Sequence, residues 1–192
     1  PDDDGALIAY QSNFAAIELP AAEFDAYLRL EGLAGPREVR QRSGAAAGAG
    51  RERYARCPKT WIAGARPGRG AARALRPAGL PLEVVPLADP GRVTPLPVRV
   101  LWRGRPLAGA LVRAWTSPLG SAWAPRDAAA RDSVGPSLEA RTDARGEARL
   151  SLPAAGEWLI GTVHMVPCAE RHEADWESWW ASLTFARGTR ER

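Results

Sequence analysis

The feature that most constrains this chain is a series of seven short apolar segments, separated by turn-forming residues, in its second half. Turn residues such as Asp89-Pro90-Gly91 and Asp143-Ala144-Arg145-Gly146 lie between the segments. No helical pattern intervenes, so we predict antiparallel strands that pack as a β-sandwich of the immunoglobulin or transthyretin type. The predicted strands span residues 82–88, 96–103, 107–115, 138–142, 147–152, 158–166 and 176–185.

The first 80 residues predict a second, incomplete β domain. Residues 5–14 alternate as a strand, and Pro20 then opens a helix over 20–31 that ends at Gly32. Phe24, Tyr27 and Leu28 share one face of this helix, which favours a packing role. The chain is therefore predicted to be mainly β, with two β-sandwich domains, 1–80 and 81–187, and the helix as an insertion in the first. Gly-, Ala- and Arg-rich stretches predict mobile loops at 35–50 and 64–79, and a further long loop is expected at 117–136.

Alternation along the last two strands assigns their side chains to two faces. In 176–185, Trp179 begins an apolar face, whereas Trp176 and Trp180 fall on the other face among serines and a threonine. In 158–166, the aliphatic residues at 159, 161, 163 and 165 predict the core face, which leaves Trp158 and His164 opposite. We therefore expect Trp158, Trp176 and Trp180 to form a second face that meets another domain or a ligand.

Composition argues against several classes of protein. The net charge is +4, but the arginines are scattered among apolar residues, as on solvated strand faces, rather than clustered for nucleic acid. No run approaches the ~20 apolar residues of a membrane-spanning helix. The sequence contains no nucleophile elbow, phosphate-binding loop or zinc-protease motif, so we expect a non-catalytic protein.

Few residues could bind a metal ion. Imidazole suits divalent nickel, and His164 is the better candidate of the two histidines because it lies on a predicted strand. The alternative is a structural histidine that hydrogen-bonds across the interdomain face. His172 lies in a charged loop and could form only a weak surface site. Cys57 and Cys168 lack a paired metal-binding spacing and form either one long-range disulfide or two buried thiols.

A set of motifs runs in order through almost the whole chain. It comprises Phe24-Asp25-Ala26-Tyr27-Leu28 with Glu31-Gly32-Leu33, the segment 79–86, the hairpin 104–110 with Thr142-Asp143 and Gly146, residues 163–167 around His164, and 175–185. Together these motifs resemble a bacterial family of exported proteins, a domain of unknown function linked to nickel uptake and once misannotated as a nickel-transport membrane component. The hairpin and the Thr-Asp turn also resemble transthyretin-like and carboxypeptidase-regulatory-like modules.

The resemblance implies a periplasmic or otherwise extracytoplasmic protein that binds Ni²⁺ for a membrane nickel or cobalt transporter of the energy-coupling type. Members typically begin the mature chain with a histidine near a tryptophan, and this sequence lacks that segment. Any nickel site built on His164 is therefore expected to be weak. The expected function is that of a non-catalytic accessory binding protein in nickel or cobalt uptake. The alternative is a structural or adhesion-type β-sandwich, or a carbohydrate-binding module, with no metal role.

Overall fold

The protein is mainly β, as predicted, in a computed structural model that describes residues 4–64, 71–117, 137–152 and 155–188. The first half contributes strands β1 (Ala6–Ala9), β2 (Ala15–Leu19) and β3 (Gly50–Ile62), and helices α1 (Ala21–Leu30), α2 (Ala34–Arg42) and α3 (Ala71–Ala74). Most of the predicted loop at 117–136, and residues 65–70 of the one at 64–79, lie outside the described residues.

All seven strands predicted for the second half are present. In addition, Arg103 and Gly104 both have positive φ and form the tight turn that leads into a two-residue strand. The strands are β4 (Leu82–Pro86), β5 (Leu96–Trp102), β6 (Arg105–Pro106), β7 (Leu111–Ser117), β8 (Leu138–Arg141), β9 (Glu147–Leu150), β10 (Gly156–Pro167) and β11 (Trp176–Arg187).

The strands form two sheets. The large sheet has the order β1-β3-β11-β10-β7-β8, with β2 also paired to β3. Its neighbours are antiparallel except β3 and β11, which run parallel. The small sheet is antiparallel, with the order β4-β5-β6 and with β9 on β5. Strands from both sides of the predicted boundary at residue 81 thus share one sheet.

The inner face of the large sheet packs against the small sheet. The apolar face predicted for β11, which begins at Trp179, is buried there and is confirmed. The faces predicted for β10 are reversed: Trp158 and Ile160 lie in this core, whereas Val163 and Met165 lie on the outer face. The prediction for β10 was wrong because both faces of this strand are covered, so hydrophobicity does not distinguish them.

Helix α1 covers part of the outer face of the large sheet. Phe24 and Leu28 are buried, which confirms the predicted packing face of the helix. The helix comes close to the sheet at Gly50, where an added Cβ would lie 2.3 Å from Cγ of Phe24. A glycine is therefore needed at this point of β3. The outer-face cluster beneath the helix consists of Phe24, Leu28, Leu33, Val163, Met165 and Trp176.

Helix α2 occupies part of the region predicted as a loop at 35–50. Polar contacts hold it: Arg37 Nε donates to Asp25 Oδ1 of α1 at 2.7 Å, and Arg40 Nη2 donates to the carbonyl of Gly48 at 2.7 Å. The Arg40 guanidinium also lies 4.8 Å from the ring centroid of Phe24. Because α2 buries few apolar side chains, the hydrophobic pattern gives no helical indication there.

One buried ion pair joins the two sheets. Lys59 Nζ of β3 lies 2.9 Å from Glu83 Oε2 of β4, and both side chains are almost completely buried. The Glu83 carboxylate also accepts hydrogen bonds from the backbone N–H groups of Ala78, Gly79 and Leu80, at 2.8, 2.7 and 2.8 Å. Burial alone would raise the pKa of Glu83, but these donors and Lys59 outweigh burial and lower it.

Candidate functional site

A groove of about 260 Å³ lies on the outer face of the large sheet, beside the area that α1 covers. Strand register arranges its lining in three rows across β7, β10, β11 and β3. The middle row is Arg113, Gly161, Ser182 and Pro58. One outer row contains Trp115 and Leu159, and the other contains Val163, Trp180 and Arg56.

The floor of the groove is low where its middle row carries the small residues Gly161 and Ser182. Gly161 and Ser182 are direct partners on β10 and β11. Trp115 lies against this floor, since a Cβ added at Gly161 would be 3.3 Å from Cζ3 of Trp115. A larger side chain at 161 would therefore displace the indole.

Trp180 forms one wall of the groove, and Tyr27 of α1 packs against its ring. Its ring is stacked on Tyr27 of α1, with 6.0 Å between centroids and 7° between planes. The Tyr27 hydroxyl donates to Glu52 Oε1 at 3.1 Å, and the Ser178 hydroxyl donates to the same oxygen. Burial raises the pKa of Glu52, although hydrogen bonds from Ser178, Tyr27 and Trp180 favour its carboxylate. This buried network fixes the position of the Trp180 ring.

The two arginines of the groove differ in their charge environment. Arg113 is paired with the buried carboxylate of Glu31, and its guanidinium lies 5.2 Å from the ring centroid of Trp115. Glu139 is its partner across β7 and β8, so two carboxylates lie near Arg113. Arg56 is exposed and has no carboxylate partner within the described part of the chain. Arg56, whose guanidinium lies 5.7 Å from the ring centroid of Tyr54, is therefore the arginine of the groove whose charge remains available to an anion.

The three tryptophans predicted for a second face occupy different places. Trp180 borders the groove, and Trp176 lies on the same outer face but is buried beneath α1. Trp158 is 1% exposed in the core between the sheets, so its predicted place on the second face was wrong. Trp115, which does border the groove, was missed because its face could be assigned only from the pairing of β7 with β10.

His164 lies on the inner face of the large sheet, away from Trp176 and Trp180. The centroid of its imidazole is 4.7 Å from that of Trp102, and its partner across β11 is Trp179. Burial, and then the charge of Arg103, lower the pKa of His164, so the imidazole is neutral at pH 7. An open cleft of about 670 Å³ lies next to these residues, and Phe14, Arg103, Glu177 and Trp179 are among those that line it.

The described residues contain few side chains that could act together as metal ligands. Within residues 4–64, 71–117, 137–152 and 155–188, no three His, Cys, Asp or Glu side chains are grouped so that they could hold a metal ion. His164 stands as a single imidazole among aromatic rings. His172 is exposed, with its ring nitrogens 3.8 Å from Glu170 and 3.9 Å from Glu173.

Cys57 and Cys168 are two buried free thiols, which is one of the two alternatives that the sequence left open. Cys57 pairs with Ala181 of β11, whereas the backbone N–H of Cys168 bonds to Asp175, next to Trp176. The stretch of β11 from Trp176 to Ala181 spans roughly 16 Å at the usual strand rise, beyond the ~7 Å Cα separation that a disulfide tolerates. Burial raises the pKa of the Cys57 thiol.

Comparison with known proteins gives one match. The model of a family described as a domain of unknown function (DUF4198) matches residues 9–166. This span contains β3, β7 and all of β10 except its last residue, and these are three of the four strands that line the groove; it also contains His164. No curated protein and no solved structure matches the chain. None of the helices within the described ranges has the length and apolar character needed to cross a membrane.

Proposed function

The chain belongs to this DUF4198 family, and we propose that it acts as a non-catalytic accessory binding protein in the uptake of nickel or cobalt ions. The proposal includes an extracytoplasmic location and a membrane nickel or cobalt transporter as partner. Its support is the set of ordered motifs that resemble an exported, nickel-linked family.

The single structural observation that carries the metal part is the state of His164. Its imidazole is half-buried and neutral, which is the form that coordinates a divalent metal. It lies beside the open cleft, and Glu177 is on the same face of the sheet, two positions along β11 from its partner Trp179. An imidazole and a carboxylate are suitable ligands for nickel.

Two nearby cations limit the affinity to be expected. Arg103 repels positive charge at His164, and Arg53 Nε donates to Glu177 Oε2 at 2.6 Å. A metal ion would have to compete with Arg53 for this carboxylate. We therefore propose weak binding that is completed by ligands of a partner, which is an accessory role rather than storage.

The finer kinship of residues 81–187 with transthyretin-like modules is part of the same proposal. Its support is the way the shared motif residues hold the loop between β6 and β7. Thr142 Oγ1 donates to the carbonyl of Leu107 at 2.7 Å and accepts from the N–H of Ala110 at 2.9 Å. Asp143 Oδ1 accepts from the N–H groups of Arg145 and Glu147 and so closes the following turn. These contacts explain why the motif needs Thr and Asp at these positions.

Isothermal titration of the protein with Ni²⁺ and Co²⁺, with Mg²⁺ as a control ion, tests the metal proposal. We expect weak binding of Ni²⁺ and Co²⁺ that is lost in His164→Ala. The matched control is His172→Ala, which removes the other histidine from an exposed loop and should bind as the wild type does.

Three results would contradict the metal proposal. Equal binding by His164→Ala and the wild type would remove His164 from any site, and loss of binding only in His172→Ala would assign it to the surface loop. No binding by the wild type would favour the alternative of a structural, adhesion-type or carbohydrate-binding module. Urea denaturation of each variant shows whether a loss of binding reflects a loss of fold.

A further inference from the structure

The outer-face groove has no part in the metal proposal, since His164 lies on the opposite face of the large sheet. Its features nevertheless converge on one small volume. The small residues Gly161 and Ser182 form a low floor, and Trp115 and Trp180 stand at opposite sides of it. A flat floor between indole rings is suited to a ring-shaped ligand.

The face of the Trp180 indole that Tyr27 does not cover is available to stack on a ligand ring. Tyr27 covers one of its faces but does not line the groove, so the other face is turned toward the groove. The Glu52 network holds Tyr27 and Trp180 in place before any ligand arrives. A ligand that stacks on this face would therefore lose little free energy to the ordering of the side chain.

Arg56 is placed to bind a charged substituent of that ring. It is the direct partner of Trp180 across the parallel β3–β11 pair, so the two side chains are neighbours on the same face. Arg56 is exposed and, within the described residues, unpaired with any carboxylate. Arg113 is different, because Glu31 and Glu139 already surround its charge. An anionic group would therefore lie at the Arg56 side of the groove.

We propose that this groove is a binding site for a small ring-bearing carboxylate, with the ring stacked on Trp180 beside Ser182 and the carboxylate bound to Arg56. The volume of about 260 Å³ is close to the lower limit of small-molecule sites, so it fits a single ring. Arg113 has a positioning role: held by Glu31, it lies on Trp115 and keeps that indole at the far side of the floor. The site does not depend on the proposed metal.

Saturation-transfer NMR and isothermal titration with four probes test this site and the source of its ligand. Benzoate represents aromatic acids and glucuronate represents acidic sugars, while benzamide and glucose are their uncharged counterparts. We expect one of the two acids to bind at least about tenfold more tightly than its uncharged counterpart. Whichever acid binds identifies the chemical source of the ring.

Variants locate the binding. Arg56→Gln removes an exposed charge without touching the core and should weaken binding of the acid about tenfold or more, to the level of the uncharged probe. Trp115→Ala should also weaken binding. Arg149→Gln is the matched control, since Arg149 is an exposed strand arginine on the small sheet, and it should bind as the wild type does.

The proposal is overturned if none of the four probes binds at millimolar concentration, which would leave the groove as a surface for a macromolecule. It is also overturned if the acid binds Arg56→Gln as tightly as the wild type. If the acid that binds and its uncharged counterpart bind equally well, charge has no role and Arg56 is removed from the site.

Discussion

Trp179 and Trp180 are neighbours in β11, yet their side chains enter different clusters on opposite faces of the large sheet. Trp179 is 4% exposed in the core between the sheets, where its ring centroid lies 4.5 Å from that of Trp102 and 5.7 Å from that of Phe14. Trp180 stacks on Tyr27 of α1 and is partly exposed toward the groove. One strand thus anchors both the sandwich core and the helix-bearing face.

The first prediction follows from this difference. Trp179→Ala should lower the free energy of unfolding by ~3–5 kcal/mol, because it removes a large side chain that is almost completely buried between the sheets. Trp180→Ala should cost clearly less, because water can enter from the groove. Urea denaturation followed by far-UV circular dichroism measures both. A larger loss for Trp180→Ala would show that the helix packing, not the core, limits stability.

Replacing Glu83 should lower the free energy of unfolding more than replacing its buried partner Lys59. Removing one partner of a buried ion pair costs about 3–5 kcal/mol. Glu83→Leu should destabilise the protein more than Lys59→Met, because it leaves both the ammonium group of Lys59 and the three backbone N–H groups of residues 78–80 without their acceptor. The double variant with Lys59→Met should remain less stable than the wild type because those donors stay unpaired. If the double variant has the same free energy of unfolding as the wild type in denaturant titrations, water replaces the carboxylate as the acceptor for these N–H groups.

Glu52 should make stability depend on pH in a direction opposite to most carboxylates. Because burial raises its pKa in the folded state, the folded protein retains the proton at pH values where the unfolded chain, with a value near 4.5, has lost it. The contribution of Glu52 to the free energy of unfolding is therefore fully present below pH 4.5 and declines as pH rises through its raised folded-state pKa. The wild type should lose stability relative to Glu52→Gln over this range. The exposed Glu23→Gln should show no such difference from the wild type in melts at pH 4, 5, 6 and 7.

Residues 81–192 expressed alone should not fold cooperatively. The sequence alone predicted an independent domain there, but β11 would lose its parallel neighbour β3, and the core would lose Ala55, Cys57 and Trp61. A broad thermal transition by circular dichroism is the expected result. A sharp, two-state transition would show that β3 is dispensable and would restore the predicted boundary.

The sequence predicts well those parts of the fold whose cause is local. Turn residues mark the ends of the second-half strands. One-sided burial gives α1 a clear periodicity, and the serines and the threonine on the outer face of β11 distinguish it from the apolar inner face, so Phe24, Leu28 and Trp179 were placed on the correct faces. Where both faces of a strand are covered, as in β10, alternation has no preferred direction and Trp158 was misplaced.

The groove and β3 depend instead on contacts between distant residues. The charged stretch of β3 gives no local indication of a strand, because its partners come from elsewhere: Lys59 pairs with Glu83, and Arg53 pairs with Glu177. Arg56 and Trp180 become neighbours only through the parallel register of β3 and β11. No periodicity within either segment contains that information.

The parallel pairing of β3 with β11 also has a consequence for the order of events during synthesis. Paired residues such as Arg53 and Glu177 are 124 positions apart, so β3 leaves the ribosome long before its partner exists. Its antiparallel pairing with β2 involves only earlier residues and can form at once, but its opposite edge stays unpaired until the slow, high-contact-order pairing with β11. An open apolar edge would recruit other nascent chains during this interval. The arginines of β3, together with Pro58, make that waiting edge a poor template for aggregation.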